Sequence, residues 1–166
     1  MPRTYEPIAT RTLNTDTSTI TFSSIPSTYT DLVLVVNAYS TSTGNDNIGL
    51  VINGDSGTNY SWTRMYGVSG VSGTTRTTSS NQIGQGTFGT GSTKYSPVIY
   101  NIMNYSNATT FKTVLGRANE PVGQVTTLVG LWRSTAAITS LTLNLYASGA
   151  NYGAGSTFTL YGIKAA

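Results

Sequence analysis

Side chains that do chemistry are scarce in this chain. Its 166 residues include no His and no Cys. That removes the commonest general base and zinc ligand, along with disulfides, thiolate ligands and a cysteine nucleophile. The carboxylates are Glu6, Asp16, Asp31, Asp46, Asp55 and Glu120. A glycosidase needs two carboxyl groups facing each other about 5–10 Å apart. Glu6 falls in the first expected strand and Glu120 in a loop before Pro121, so no pair is evident. The four Asp residues stand beside turn formers, where a short carboxylate caps or nucleates a turn. Asp46 in Gly44-Asn45-Asp46-Asn47 and Asp55 in Asn53-Gly54-Asp55-Ser56-Gly57 also offer hard oxygen ligands suited to calcium. The spacing lacks the closing bidentate Glu of a helix-loop-helix calcium site, and two polar tips are the preferred reading. Serine is everywhere but has no partner base. The expectation is a protein that is not an enzyme and carries no cofactor; turnover abolished by Glu120→Gln would reverse it.

Other ligand classes are equally poorly served. Gly84-Gln85-Gly86 and Gly89-Thr90-Gly91 have no following helix start whose dipole would hold a phosphate. Nine basic residues against six acidic ones give a net charge of +3, and the bases never cluster. A nucleic-acid footprint needs several on one face, so no nucleic acid is expected as a partner. The longest apolar stretch, Leu32 to Val36, is far short of a membrane span. The opening MPRTYEPIAT lacks the apolar core of a secretory leader. A soluble chain, not exported by the usual route, is expected.

The elements that would position any site are strands. Thirty Thr, nineteen Ser and eleven Tyr dominate, while charged residues make up 9% against a usual ~25%. Threonine, valine, isoleucine and tyrosine suit a pleated, half-buried surface, and no window shows helical periodicity. Strands are expected over Tyr5–Leu13, Ser18–Phe22, Leu32–Tyr39, Ile48–Asn53 and Asn59–Tyr66. Others follow over Pro97–Tyr105, Thr110–Arg117, Gln124–Arg133, Ile138–Tyr146 and Thr157–Ile163. Asn53-Gly54 predicts a tight hairpin turn, because both residues tolerate positive φ. Residues 67–93 hold few large apolar side chains and read as a flexible excursion with at most a short strand near 81–83. Nine or ten short strands with regular turn signals predict one all-β domain over 1–166, an antiparallel two-sheet β-sandwich of jelly-roll type.

Tyr60, Trp62 and Tyr66 share one face of a strand and could stack on sugar rings. Aromatic rows on strands more often form core or a subunit interface, and that reading is preferred. A nearly neutral, Thr- and Ser-rich β-domain has little charge repulsion between copies, which suits a building block of a symmetric assembly or a rigid adhesin.

Several runs are more specific. Tyr5-Glu6-Pro7-Ile8-Ala9-Thr10, then Ile20-Thr21-Phe22-Ser23-Ser24-Ile25-Pro26-Ser27-Thr28-Tyr29-Thr30-Asp31-Leu32, resemble the start of a family of short virion proteins of tailed bacteriophages, cyanophages included. Gly130-Leu131-Trp132-Arg133, Ala136-Ala137-Ile138-Thr139-Ser140-Leu141 and Gly155-Ser156-Thr157-Phe158-Thr159-Leu160-Tyr161-Gly162-Ile163-Lys164 agree with it. Asn53-Gly54-Asp55, Asn59-Tyr60 and Thr63-Arg64 also fit, and only 67–93 departs. The resemblance implies a virion structural component, with such domains found on capsids or in tail fibres, and a homotrimer. A chain of this size beginning at Met1 favours a capsid decoration (cement) protein whose partner is the major capsid protein. The arm at about 1–8 (Pro2, Arg3, Thr4, Tyr5, Glu6, Pro7 and Ile8), with its early prolines and no alternation, is the expected capsid or neighbour contact. The alternative is a tail-fibre or baseplate adhesin recognising host-surface polysaccharide, with the 41–47 and 67–93 loops and Tyr60, Trp62 and Tyr66 in contact with it.

Overall fold

The computed structural model describes residues 4–44, 46–91, 94–121, 123–147 and 149–164; within these, the side chains of 85–88 stand outside the description. The described residues form no helix. Twelve strands run in chain order: β1 (Tyr5–Thr12), β2 (Thr19–Phe22), β3 (Asp31–Ala38), β4 (Asp46–Ile52), β5 (Tyr60–Val68) and β6 (Val71–Ser80), then β7 (Ile83–Phe88), β8 (Ser96–Ile102), β9 (Lys112–Glu120), β10 (Gln124–Trp132), β11 (Leu141–Leu145) and β12 (Thr157–Ile163). They build two antiparallel sheets, as the alternation predicts. The sheets are unequal: eight strands in the order β1-β12-β3-β8-β9-β10-β5-β6, and four in the order β2-β11-β4-β7.

Alternation sets which side chains meet between the sheets. Leu32, Leu34, Val36 and Ala38 of β3, Phe158 and Leu160 of β12, and Leu128 and Trp132 of β10 point inward. From the small sheet, Ile48, Leu50, Ile52, Leu141 and Leu143 meet them. Each aliphatic side chain so buried contributes about 1.5–3 kcal/mol relative to exposure. β3 stands third from one edge and is largely buried, in keeping with its continuous apolar run.

The structure corrects the reading of 67–93. Val68-Ser69-Gly70-Val71 is a two-residue hairpin turn, with φ of 48° at Ser69 and 79° at Gly70. It folds β6 back on β5 with register pairs from Val68↔Val71 to Trp62↔Thr77. The chain then crosses at Asn81-Gln82 into β7, which pairs with β4 in the small sheet and carries Ile83 into the core. Residues 71–80 and 83–88 of this stretch are strands, and the sequence reads as a loop because β6 is a polar edge strand.

A second correction concerns Asn53-Gly54. The turn forms, with φ of 52° and 67° and Asp55 N–H donating to Ile52 C=O at 3.0 Å. Yet β4 belongs to the small sheet and β5 to the large one, so it is a corner of the sandwich and not a hairpin. Asn53 Oδ1 accepts N–H groups of Thr139 and Ser140 at 2.8 and 3.0 Å, and its Nδ2 donates to Ala137 C=O at 2.8 Å. The buried Tyr60 hydroxyl accepts the Ile52 N–H at 3.0 Å and lies 3.0 Å from the Asp55 carbonyl.

Asp55 closes the same corner. Trp132 Nε1–H donates to its Oδ2 at 2.7 Å, and Asn59 Nδ2 and Gly57 N–H donate as well. The Trp132 bond, helped by Asn59 and Gly57 and opposed by partial burial, holds the Asp55 carboxyl below its ordinary 3.8. A lowered folded value means stability that is present above the unfolded pKa and is lost as pH falls through the folded one. Thermal unfolding should therefore show Asp55→Asn less stable than wild type near neutrality by about 1 kcal/mol after solvent screening. The gap should close as pH falls below the carboxylate range. A gap independent of pH would contradict this role.

Candidate interaction surface

The outward face of the eight-stranded sheet is the feature the core does not explain. In β10, Val125, Thr127, Val129 and Leu131 alternate with the inward residues, and Val125 and Val129 are 57% and 53% exposed. Register places Val129 between Leu115 of β9 and Thr63 of β5. Thr127 stands between Arg117 and Met65, which is 56% exposed. Toward the other edge, Leu115 faces Asn101, and Val33 lies between Asn101 and Tyr161. Tyr5 packs edge-on against Tyr161 with ring centroids 6.3 Å apart.

This face is broad, shallowly contoured and poor in charge. Three hollows of about 200, 340 and 180 Å³ open on it, bounded by Pro97 and Ile99, by Met65 and Val125, and by Thr63 and Val129. Away from the strand ends its charges are Arg117 and, on the edge strand β6, Arg76, with no carboxylate among the described residues. Asp31 at the rim already accepts the Asn104 N–H at 2.6 Å. Eight strands about 4.8 Å apart and some seven residues long span roughly 900 Å². A stable specific interface takes about 800 Å² from each partner.

One end of the sandwich carries a different feature. Thr43, Ser69, Thr90, Lys94, Glu120 and Gln124 line a polar cleft of about 380 Å³. Beside this end Asp46, 1% exposed, ties the 39–47 and 145–147 segments together. Ser40 Oγ donates to its Oδ2 at 2.6 Å, and Asn47, Tyr146 and Ala147 N–H groups donate to Oδ1 at 2.8, 3.1 and 2.9 Å. Lys112, also buried, donates from Nζ to the carbonyls of Thr110 and Thr135 at 2.7 and 3.2 Å. Nothing in the sequence pattern announced either as an interior clamp.

The predicted site residues separate. Pro2 and Arg3 lie outside the described residues. Tyr5–Ile8 are not a free arm but the start of edge strand β1, paired with β12 from Tyr5↔Ile163. Glu6 holds Lys164 Nζ at 2.9 Å and accepts the Tyr29 hydroxyl at 3.2 Å, while Thr4 C=O accepts the Lys164 N–H. Ile8 packs against the core. Tyr5, 58% exposed, belongs to the apolar outer face. Tyr60, Trp62 and Tyr66 do share a face, but it points inward. Tyr60 is 0% and Trp62 6% exposed, and Tyr60 stacks on Trp132, so neither offers a platform to a sugar. Tyr66 is half-buried beneath Arg64, 5.0 Å above its ring. Glu6 and Glu120 lie on β1 and β9, four strand spacings or about 19 Å apart, too far for a facing pair. Asp46 and Asp55 turn their oxygens to the protein donors named above. Among the described residues no three His, Cys, Asp or Glu gather.

Fold and surface together define an antiparallel β-sandwich whose larger sheet turns an apolar face outward. Neither a family model nor a curated protein matches the chain.

Proposed function

We propose that this chain is a structural subunit of a bacteriophage virion, a capsid decoration (cement) protein that seats the outer face of its eight-stranded sheet on the shell. The observation that carries this reading is that face, with Met65, Val125 and Val129 more than half exposed and only Arg117 and the edge-strand Arg76 charged away from the strand ends. Exposed Met, Val and Leu side chains grouped on one charge-poor face suit a docking site. The sequence resemblance to virion proteins supplies the partner, the major capsid protein, whose matching surface would be apolar with carboxylates or carbonyls opposite the two guanidiniums. Bound copies stabilise the assembled shell by mass action, because they bind the lattice and not its separated subunits. Immunogold electron microscopy with antibody to this chain tests the assignment: label is expected over the head, and label absent from virions would overturn it.

A second reading rests on the polar cleft lined by Lys94, Glu120 and Gln124. Donors and acceptors grouped at one end of a rigid sandwich suit recognition of host-surface polysaccharide by a tail-fibre or baseplate adhesin. Under it, the gold label falls on the tail and a glycan array gives signal.

A further inference from the structure

Strand β6 ends the eight-stranded sheet, and among the described residues it pairs with β5 alone. Its ten residues, Val-Ser-Gly-Thr-Thr-Arg-Thr-Thr-Ser-Ser, contain no proline and one charge, Arg76. Proteins shield such edges with proline, bulges, charge or short length. The opposite edge shows those devices: Pro7 lacks an N–H, the register shifts between Pro7 and Ala9, and Glu6 pairs with Lys164. The edges of the small sheet are short, four residues in β2 and six in β7. β6 carries such a device only at its far end: its register with β5 runs unbroken from Val71 to Thr77 and shifts by one residue before Ser80.

The turn fixes which backbone groups are free. A two-residue loop makes Val68 and Val71 a hydrogen-bonded pair, and such pairs alternate along an antiparallel ladder. Gly73, Thr75 and Thr77 therefore bond to β5, while Ser72, Thr74 and Arg76 direct their N–H and C=O groups away from the sheet. From Val71 to Thr77 an open ladder is left, and Arg76 is the one charge along it.

We infer that β6 is the pairing edge of a homodimer, in which two copies align β6 against β6, antiparallel, across a two-fold axis. The sequence is nearly self-complementary on reversal. An axis at Thr74 or Thr75 sets Thr against itself and Arg76 against Ser72 or Thr74, whereas an axis at Arg76 would oppose two guanidiniums. A ring built by strand addition needs two complementary free edges, and β1 does not supply the second, so the trimer implied by resemblance is not made this way. The axis stands perpendicular to the sheet, which brings both apolar outer faces to the same side. That last consequence extends the docking reading; the dimer itself does not depend on it.

Light scattering after size exclusion of the purified chain tests the pairing without any particle. Wild type is expected at twice the chain mass. Thr74→Pro, which removes an outward N–H, and Thr74→Lys, which sets two ammonium groups across the axis, should both run as monomers with unchanged circular dichroism. Val129→Asp on the outer face, two strands in from β6, should stay dimeric, so loss of docking and loss of pairing remain distinguishable. A monomeric or trimeric wild type, or dimers persisting in a folded Thr74→Lys chain, would overturn the inference.

Discussion

Replacing Met65 and Val129 together by Asp should cut attachment to the proposed shell about a hundredfold while the chain still folds. Both side chains are more than half exposed and contribute little to the core. They sit on adjacent strands one register step apart, since Val129 faces Thr63 and Met65 faces Thr127. Aspartate in an exposed strand position costs about 1 kcal/mol of stability. In a desolvated interface, each unpaired carboxylate costs several times that. The new carboxylates would also compete for Arg76 and Arg117 and repel acidic groups of the partner. Cosedimentation with particles should show at least a roughly hundredfold loss of binding, with the melting temperature little changed. Undiminished binding would place the contact elsewhere on the molecule.

The largest effect on stability is expected at Asp46. Asp46→Ala would leave the Ser40 hydroxyl and the Asn47 and Ala147 N–H groups without this acceptor at a buried position, while the Tyr146 N–H would keep the Asn47 carbonyl at 3.0 Å. Hydrogen bonds to a carboxylate are worth more than neutral ones, and loss of a connected set is not additive. A loss of about 3 kcal/mol in urea denaturation is the expected result. Asp46→Asn should fall between, because one retained oxygen serves either the hydroxyl or the three amides. A change below about 0.5 kcal/mol would mean that the clamp does not tie the two segments together.

Period-two patterning carried most of the fold. The alternation of Ile20 and Phe22 against Thr19 and Thr21, and the apolar run from Leu32 to Val36, placed β2 and β3 because one face or both are buried. β6 escaped notice for the converse reason. At the sheet edge neither face is fully buried, so Thr and Ser fill seven of the ten positions on both faces and Val71 alone is apolar. The Val68-Ser69-Gly70-Val71 turn was the available signal. At Asn53-Gly54 the turn was legible, but a turn fixes local geometry and not which sheet the next strand joins.

The candidate site was legible only in part. Alternation assigns Tyr60, Trp62 and Tyr66 to one face of β5, yet it does not say which face meets the core. The partners decide that: Tyr60 lies between the corner at Ile52 and the Trp132 ring. The outer face is assembled from β9, β10 and β5, whose neighbours in space are distant in sequence or joined by turns. Single exposed residues such as Val125 or Met65 look ordinary alone and become a surface only through register.

The most direct measurement follows Met65 in the free chain and on the virion it is proposed to decorate. The residue is 56% exposed on the outer face, on β5, one strand in from the β6 edge. Peroxide converts an accessible methionine to its sulfoxide, and peptide mass spectrometry gives the rate. Docking through the outer face predicts oxidation of Met65 slowed by about tenfold or more on the particle relative to the free chain. Equal rates in the two states would contradict the claim that this face meets the shell.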